Sequence, residues 1–143
     1  MKRIPLEVYN FAGSLRIVAT FLLRVEEPIK IFLPIKAIVD TGSPITIISS
    51  ADLQRMRISQ LQLQNIPAKN NPVNIGGGQV FTKEIVKSKI KFSNGIEVEM
   101  PINFPIKGEE TKTNLLGVDF MLKTKSKLFF DPTNKVAYFE IED

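Results

Sequence analysis

The chain has 143 residues, enough for one domain with a real core and short for two. It contains no Cys and no His, which excludes disulfides, thiolate or imidazole metal sites, cysteine nucleophiles and every catalytic arrangement built on histidine. The net charge of +4 comes from dispersed lysines, densest at Lys123, Lys125 and Lys127, a pattern that reads as solvated strand faces and not as a nucleic-acid platform.

Taken in order, residues 4–33 read as strands. Residues 9–12 lead to a turn at Gly13-Ser14, and residues 15–23 form a second run. Glu26-Glu27-Pro28 breaks it before residues 29–33, and Pro34 punctuates before a strand over 35–39. Beyond Asp40 and its turn, residues 45–48 continue as strand. Ser49 with Asp52 three residues on resembles a capping box, which predicts a short helix over 51–56.

The Gln-rich segment 57–69 reads as strand or loop, and Asn70-Asn71-Pro72 as a turn. Residues 73–82 hold two β-type runs around Gly76, Gly77 and Gly78, which predicts a flexible hairpin tip. A phosphate-cradling loop would need a following helix, and strand follows instead. Residues 84–92 and 96–102 flank Asn94-Gly95, the strongest hairpin signature in the chain. Then come a polar loop over 107–113, a buried strand at 114–122 that breaks at Gly117 into a short helix, and a last hairpin with its turn at 131–134. Many short strands and one or two short helices predict an all-β fold, a closed or partly open β-barrel, in a single domain spanning 1–143.

No apolar run approaches the ~20 residues of a membrane span, and the N-terminus lacks a signal-peptide core. The expectation is a cytoplasmic protein with neither membrane nor nucleic acid as partner, and Met1 reads as the start of an independent product.

One stretch carries chemistry, Ala37-Ile38-Val39-Asp40-Thr41-Gly42-Ser43. A carboxylate at the end of an apolar strand is costly unless it is held. Gly42 lets backbone N–H groups approach the acid, and Thr41 and Ser43 bring hydroxyls to the same turn. With His and Cys absent, acid–base chemistry falls to carboxylates, Lys or Tyr. Taken alone, Asp-Thr-Gly is also an ordinary β-turn. Asp119, just past Gly117, reads as an N-terminal cap or dipole partner of a helix and not as a second acid.

The Asp-Thr-Gly turn at Asp40, Thr41 and Gly42, the glycine-rich hairpin at Ile75, Gly76, Gly77 and Gly78, and Leu115-Leu116-Gly117 follow one another in an order that resembles the retroviral-type (retropepsin-like) aspartic protease family. The resemblance spans roughly residues 30 to 141 and is closer to the cellular and microbial relatives. It implies a barrel of the acid-protease type and an aspartic endopeptidase that needs no metal or cofactor. It also implies a homodimer, because a pair of acids is required and the chain has one Asp-Thr-Gly. Asp40 is then the catalytic residue from each subunit. By the same resemblance Thr41 reaches to the partner's backbone, the Gly42 N–H faces the carboxylate, and Ser43 offers an outer hydrogen bond. Leu115, Leu116 and Gly117 support the turn from behind, and residues 75–78 form a flap over a peptide or protein substrate. The alternative is a non-catalytic dimerisation or peptide-binding module of the same fold.

Overall fold

The computed structural model describes residues 1–64, 66–75, 78–106 and 113–142. Its centre is a long strand that serves three neighbours. β1 (Lys2–Phe11) and β2 (Ser14–Val25) form a hairpin through Ala12 and Gly13, both with positive φ, a conformation Gly13 adopts without a Cβ penalty. Residues 18–25 of β2 pair with β3 (Ile31–Val39). Its other edge takes β1 at residues 14–18 and then β6 (Thr82–Lys91) at residues 22–24. β1 changes partner midway, Glu7 onward facing β2 and Lys2 to Leu6 facing β10 (Val136–Ile141), which itself pairs with β9 (Ser126–Asp131).

The structure departs from the sequence expectation at several points, each for a local reason. Pro34 does not end a strand: β3 runs through it opposite Leu22, and its carbonyl leaves the ladder to accept from Arg55 at 3.0 Å. Residues 45–48 form no named strand. Only Ile47 makes bridges, to Asn103 and Leu115, because the segment packs edge-on between two other pieces of chain. The expected helix is present as α1 (Ser50–Arg55), but Ser49 and Asp52 make half a capping box. The Ser49 hydroxyl accepts from the Asp52 N–H, whereas the Ser49 N–H donates to Asn114 Oδ1.

The segment read as strand or loop contains α2 (Gln60–Leu63), set by a full capping box between Ser59 and Gln62. β4 (Val73–Ile75) and β5 (Gly78–Val80) form the glycine hairpin, with Ile75 opposite Gly78. Gly76 and Gly77 lie outside the described residues, as do 107–112 of the polar loop. β6 and β7 (Glu97–Pro105) form the Asn-Gly hairpin, and Pro101 sits where the register slips between Ile85 and Ser88 and no ladder pairing is lost.

The strands run in the order β7-β6-β2-β1-β10-β9, with β3 attached to β2 and β8 (Leu115–Leu116) attached to β3. The fold is thus mostly β, but no sheet closes into a barrel among the described strands. β7 and β9 remain the two ends, and Ile47 and the Thr46 carbonyl occupy the β7 edge at Asn103. No helix of the described residues is long and apolar enough to cross a membrane.

The core is a row of aromatic rings, Phe21, Phe92, Phe120 and Phe139, with successive centroids 5.8, 5.6 and 5.0 Å apart and tilted or edge-on contacts. Phe120 sits inside this row and belongs to α3 (Val118–Thr124), so the row ties the helix after Gly117 to the sheet. Phe120→Ala is expected to cost about 3–5 kcal/mol, seen as a lower urea midpoint at unchanged m-value. Phe32→Ala, at a 70% exposed position, is the control and should shift stability by less than about 0.5 kcal/mol.

Candidate active site

Asp40 lies where β3 gives way to a turn. Ser43 N–H closes that turn on the Asp40 carbonyl at 3.1 Å, and Gly42 N–H donates to Asp40 Oδ1 at 2.9 Å. The carboxylate is thereby oriented by backbone within its own turn. Thr41 is exposed, and among the described residues its hydroxyl has no partner in this chain. Ser43 is fully buried and its hydroxyl donates to the Ile45 carbonyl at 2.7 Å. In this chain it braces the turn instead of reaching the carboxylate.

Leu115 and Leu116 form β8 (Leu115–Leu116), which passes between the two legs of the turn. On one side it runs parallel to β3. Asp40 N–H donates to the Leu116 carbonyl at 3.0 Å and Ile38 N–H to the Asn114 carbonyl at 2.9 Å. On the other side Leu115 and Ile47 exchange two backbone hydrogen bonds, each 2.9 Å. Gly117 follows at the narrowest point. A Cβ there would lie 2.3 Å from the Ile45 carbonyl oxygen and 2.7 Å from that of Ser43, so only glycine fits. The constraint is steric, since its φ of −88° suits any residue.

Two contributors were not legible as site residues. Thr46 is buried; its hydroxyl donates to Asp119 Oδ1 at 2.8 Å and accepts from Gly117 N–H at 3.1 Å, while its N–H donates to Asp119 Oδ2 at 2.9 Å. Asp119, expected only to favour the helix start, also accepts from Phe120 N–H at 2.8 Å and so fastens α3 to the far leg of the turn. Asn114 is the second: it accepts from Ser49 N–H at 2.7 Å and donates to the Lys36 carbonyl at 2.9 Å and to Asp52. No periodicity or motif marks either contact, because both join residues more than sixty apart.

Asp40 opens onto a groove of about 950 Å³ whose walls include Ile17, Val18, Ile38, Leu115 and Phe130, with Arg16 and Lys36 as its cations. Arg16 lies on β2 and Lys36 on β3, and the lysine falls among those read simply as solvated. No described residue of the β4–β5 hairpin lines this groove, so the structure does not join Ile75 and Gly78 to Asp40. Among the described residues no cluster of acids is placed to hold a metal ion.

Two predictions test this buttress. Gly117→Ala should destabilise the fold by about 3 kcal/mol or fail to fold, because the clash is with backbone; urea unfolding or soluble yield reads it. For Asp119, burial pushes the carboxyl above its ordinary 3.8, against the downward pull of Thr46, Phe120 and Lys69. The folded state therefore binds this proton more tightly than the unfolded chain. The stability this contributes is complete below the ordinary value and is lost as pH rises through the raised one. The difference in unfolding free energy between wild type and Asp119→Asn should therefore fall with rising pH across that window.

Comparison with known proteins agrees with this geometry. The structure superposes on a retropepsin-like aspartic protease from Rickettsia conorii with a TM-score of 0.62, covering 96% of this chain and 89% of that one at 15% sequence identity. The fold is therefore retropepsin-like. No curated protein sequence matches the chain. The family model described as gag-polyprotein putative aspartyl protease matches residues 32–123, a span that holds the Asp40 turn, the glycine hairpin, β8 and all but the last residue of α3. With nearly two thirds of its length matched, the chain belongs to the gag-polyprotein putative aspartyl protease family.

Proposed function

We propose that the protein is an aspartic endopeptidase that works as a homodimer, each copy supplying Asp40 to one active site. The observation that carries this reading is the held carboxylate. Asp40 ends a buttressed strand, is oriented by the Gly42 N–H, and faces an open groove with no second acid among its described lining residues. A buttress this elaborate for a single turn is expected where a group must keep a fixed direction.

In the dimer a water molecule sits between the two Asp40 carboxyls. Two carboxylates that close cannot both be charged, so the pair holds one proton between them. The ionised acid takes a proton from the water as its oxygen attacks the scissile carbonyl. The protonated acid donates to the carbonyl oxygen, and the tetrahedral intermediate then collapses with proton transfer to the leaving amine. The exposed Thr41 hydroxyl is available to the other copy's turn, and the β4–β5 hairpin is the element of the right kind to cover an extended peptide.

A peptide library screened between about pH 3 and 7 should reveal acid-favoured cleavage. Asp40→Asn should lower kcat at least about a hundredfold while leaving the unfolding midpoint close to that of wild type. A stable wild-type dimer that cuts nothing across this range would overturn catalysis and leave a peptide-binding module of the same fold.

A further inference from the structure

The Asp40 groove carries two cations, Arg16 and Lys36, and apart from Asp40 no acid among its described lining residues. Their positions follow from the sheet register. Val18 is opposite Ile38 and Thr20 opposite Lys36, so these four side chains share one face of β2 and β3. Arg16 belongs to the same face two residues before Val18, and continuing the register past the last pair sets it beside Asp40. The face therefore runs from Arg16, over the apolar Val18–Ile38 pair, to Lys36. Leu115 and Phe130 extend its apolar part.

Neither cation is neutralised within the chain. Among the described residues the ion pairs of arginine and lysine use Arg24, Arg55, Lys69 and Lys89, and none uses Arg16 or Lys36. The Lys36 ammonium lies 5.9 Å from the Tyr9 ring centroid, a contact that leaves its charge in place. Glu7 shares this face opposite Val18, but its carboxylate accepts from the hydroxyls of Tyr9 and Thr20, the latter at 3.5 Å. An exposed arginine without an acid is ordinary at a surface. Beside a candidate catalytic carboxylate it also sets the charge preference of whatever lies over the groove.

We propose that Arg16 is a specificity residue that selects peptides with an acidic side chain two residues from an apolar one, Lys36 adding to the positive field. The proposal rests on the reading that a peptide lies over Asp40, and it names the class of peptide.

The spacing comes from strand geometry. An extended peptide returns a side chain to the same face every second residue, about 6.7 Å along. Arg16 and Val18 are separated by the same step on β2. A substrate side chain seated on Val18 and Ile38 therefore brings the next residue of its face to the Arg16 guanidinium. Arginine presents a planar fork of donors that matches a carboxylate bidentately, whereas the lysine ammonium is a point charge. In a two-copy site the groove occurs twice, so the preference falls on both sides of the cut.

Paired fluorescein-labelled peptides test this, each holding one leucine with either glutamate or glutamine two residues away. At about pH 5.5 the peptide glutamate is mostly ionised, since its ordinary pKa is about 4.3. Wild type should cut the glutamate peptide with kcat/KM at least about fivefold higher. The difference should reside in KM, because ground and transition states share the contact. Arg16→Gln should abolish it, Arg16→Lys should keep part of it, and Arg16→Glu should favour a lysine peptide instead. Lys91→Gln removes an exposed charge outside the groove and should leave the preference intact.

A wild type that cuts both peptides alike, or a preference that survives Arg16→Gln, overturns the assignment and leaves the protease reading standing. Where the pair is not cut, fluorescence anisotropy of the same peptides decides. Tighter binding of the glutamate peptide that requires Arg16 upholds the assignment, and equal binding or none overturns it. The protease reading falls separately, on a library in which nothing is cut.

Discussion

Everything in the site depends on a two-residue strand being gripped from both sides. β8 is too short to be stable by itself, yet β3 bonds one edge and Ile47 the other, and the two are the legs of the Asp40 turn. A β-turn carrying a carboxylate is ordinarily a soft surface feature. Here neither leg can leave β8 without breaking at least two backbone hydrogen bonds. Gly117 sets how closely the legs approach, since the carbonyls of Ser43 and Ile45 occupy the space a side chain would need. The direction of the Asp40 carboxylate follows from that closure.

The closure is also anchored at a distance. α3 begins directly after Gly117, Asp119 binds Thr46 on the far leg, and Phe120 enters the aromatic row of the core. A displacement of the turn must therefore move a helix and a packed ring. Asn114 does the same from the other end of β8, reaching α1 through Ser49 and Asp52. Rigidity of this kind costs buried polar groups, and the structure satisfies them: Ser43, Thr46, Ser49 and Asn114 are all buried and all hydrogen-bonded.

What the sequence made legible follows the range of the interactions. The Asp-Thr-Gly turn, the Asn-Gly hairpin and the strand-Gly-helix at 114–122 depend on neighbours a few residues apart, and the structure contains each. The α2 capping box was equally local, but Ser59 and Gln62 were masked by a polar, Gln-rich surround that suggested loop. Pro34 misled because proline was weighed against a strand interior, whereas its carbonyl turns out to serve Arg55. Thr46 and Asn114 could not be placed at all, and Asp119 was read only as a helix cap or dipole partner, since their distant partners are brought together only by the threading of β8. Closure of the barrel was an inference from strand count, and strand count does not say which edges meet.

The central claim is that one active site takes an Asp40 from each of two copies. Mixing wild type with Asp40→Asn, after exchange of subunits, tests it directly. If both acids are needed, peptidase activity at constant total protein falls as the square of the wild-type fraction, because mixed dimers are inactive. A linear fall would show that one Asp40 suffices and would contradict the claim.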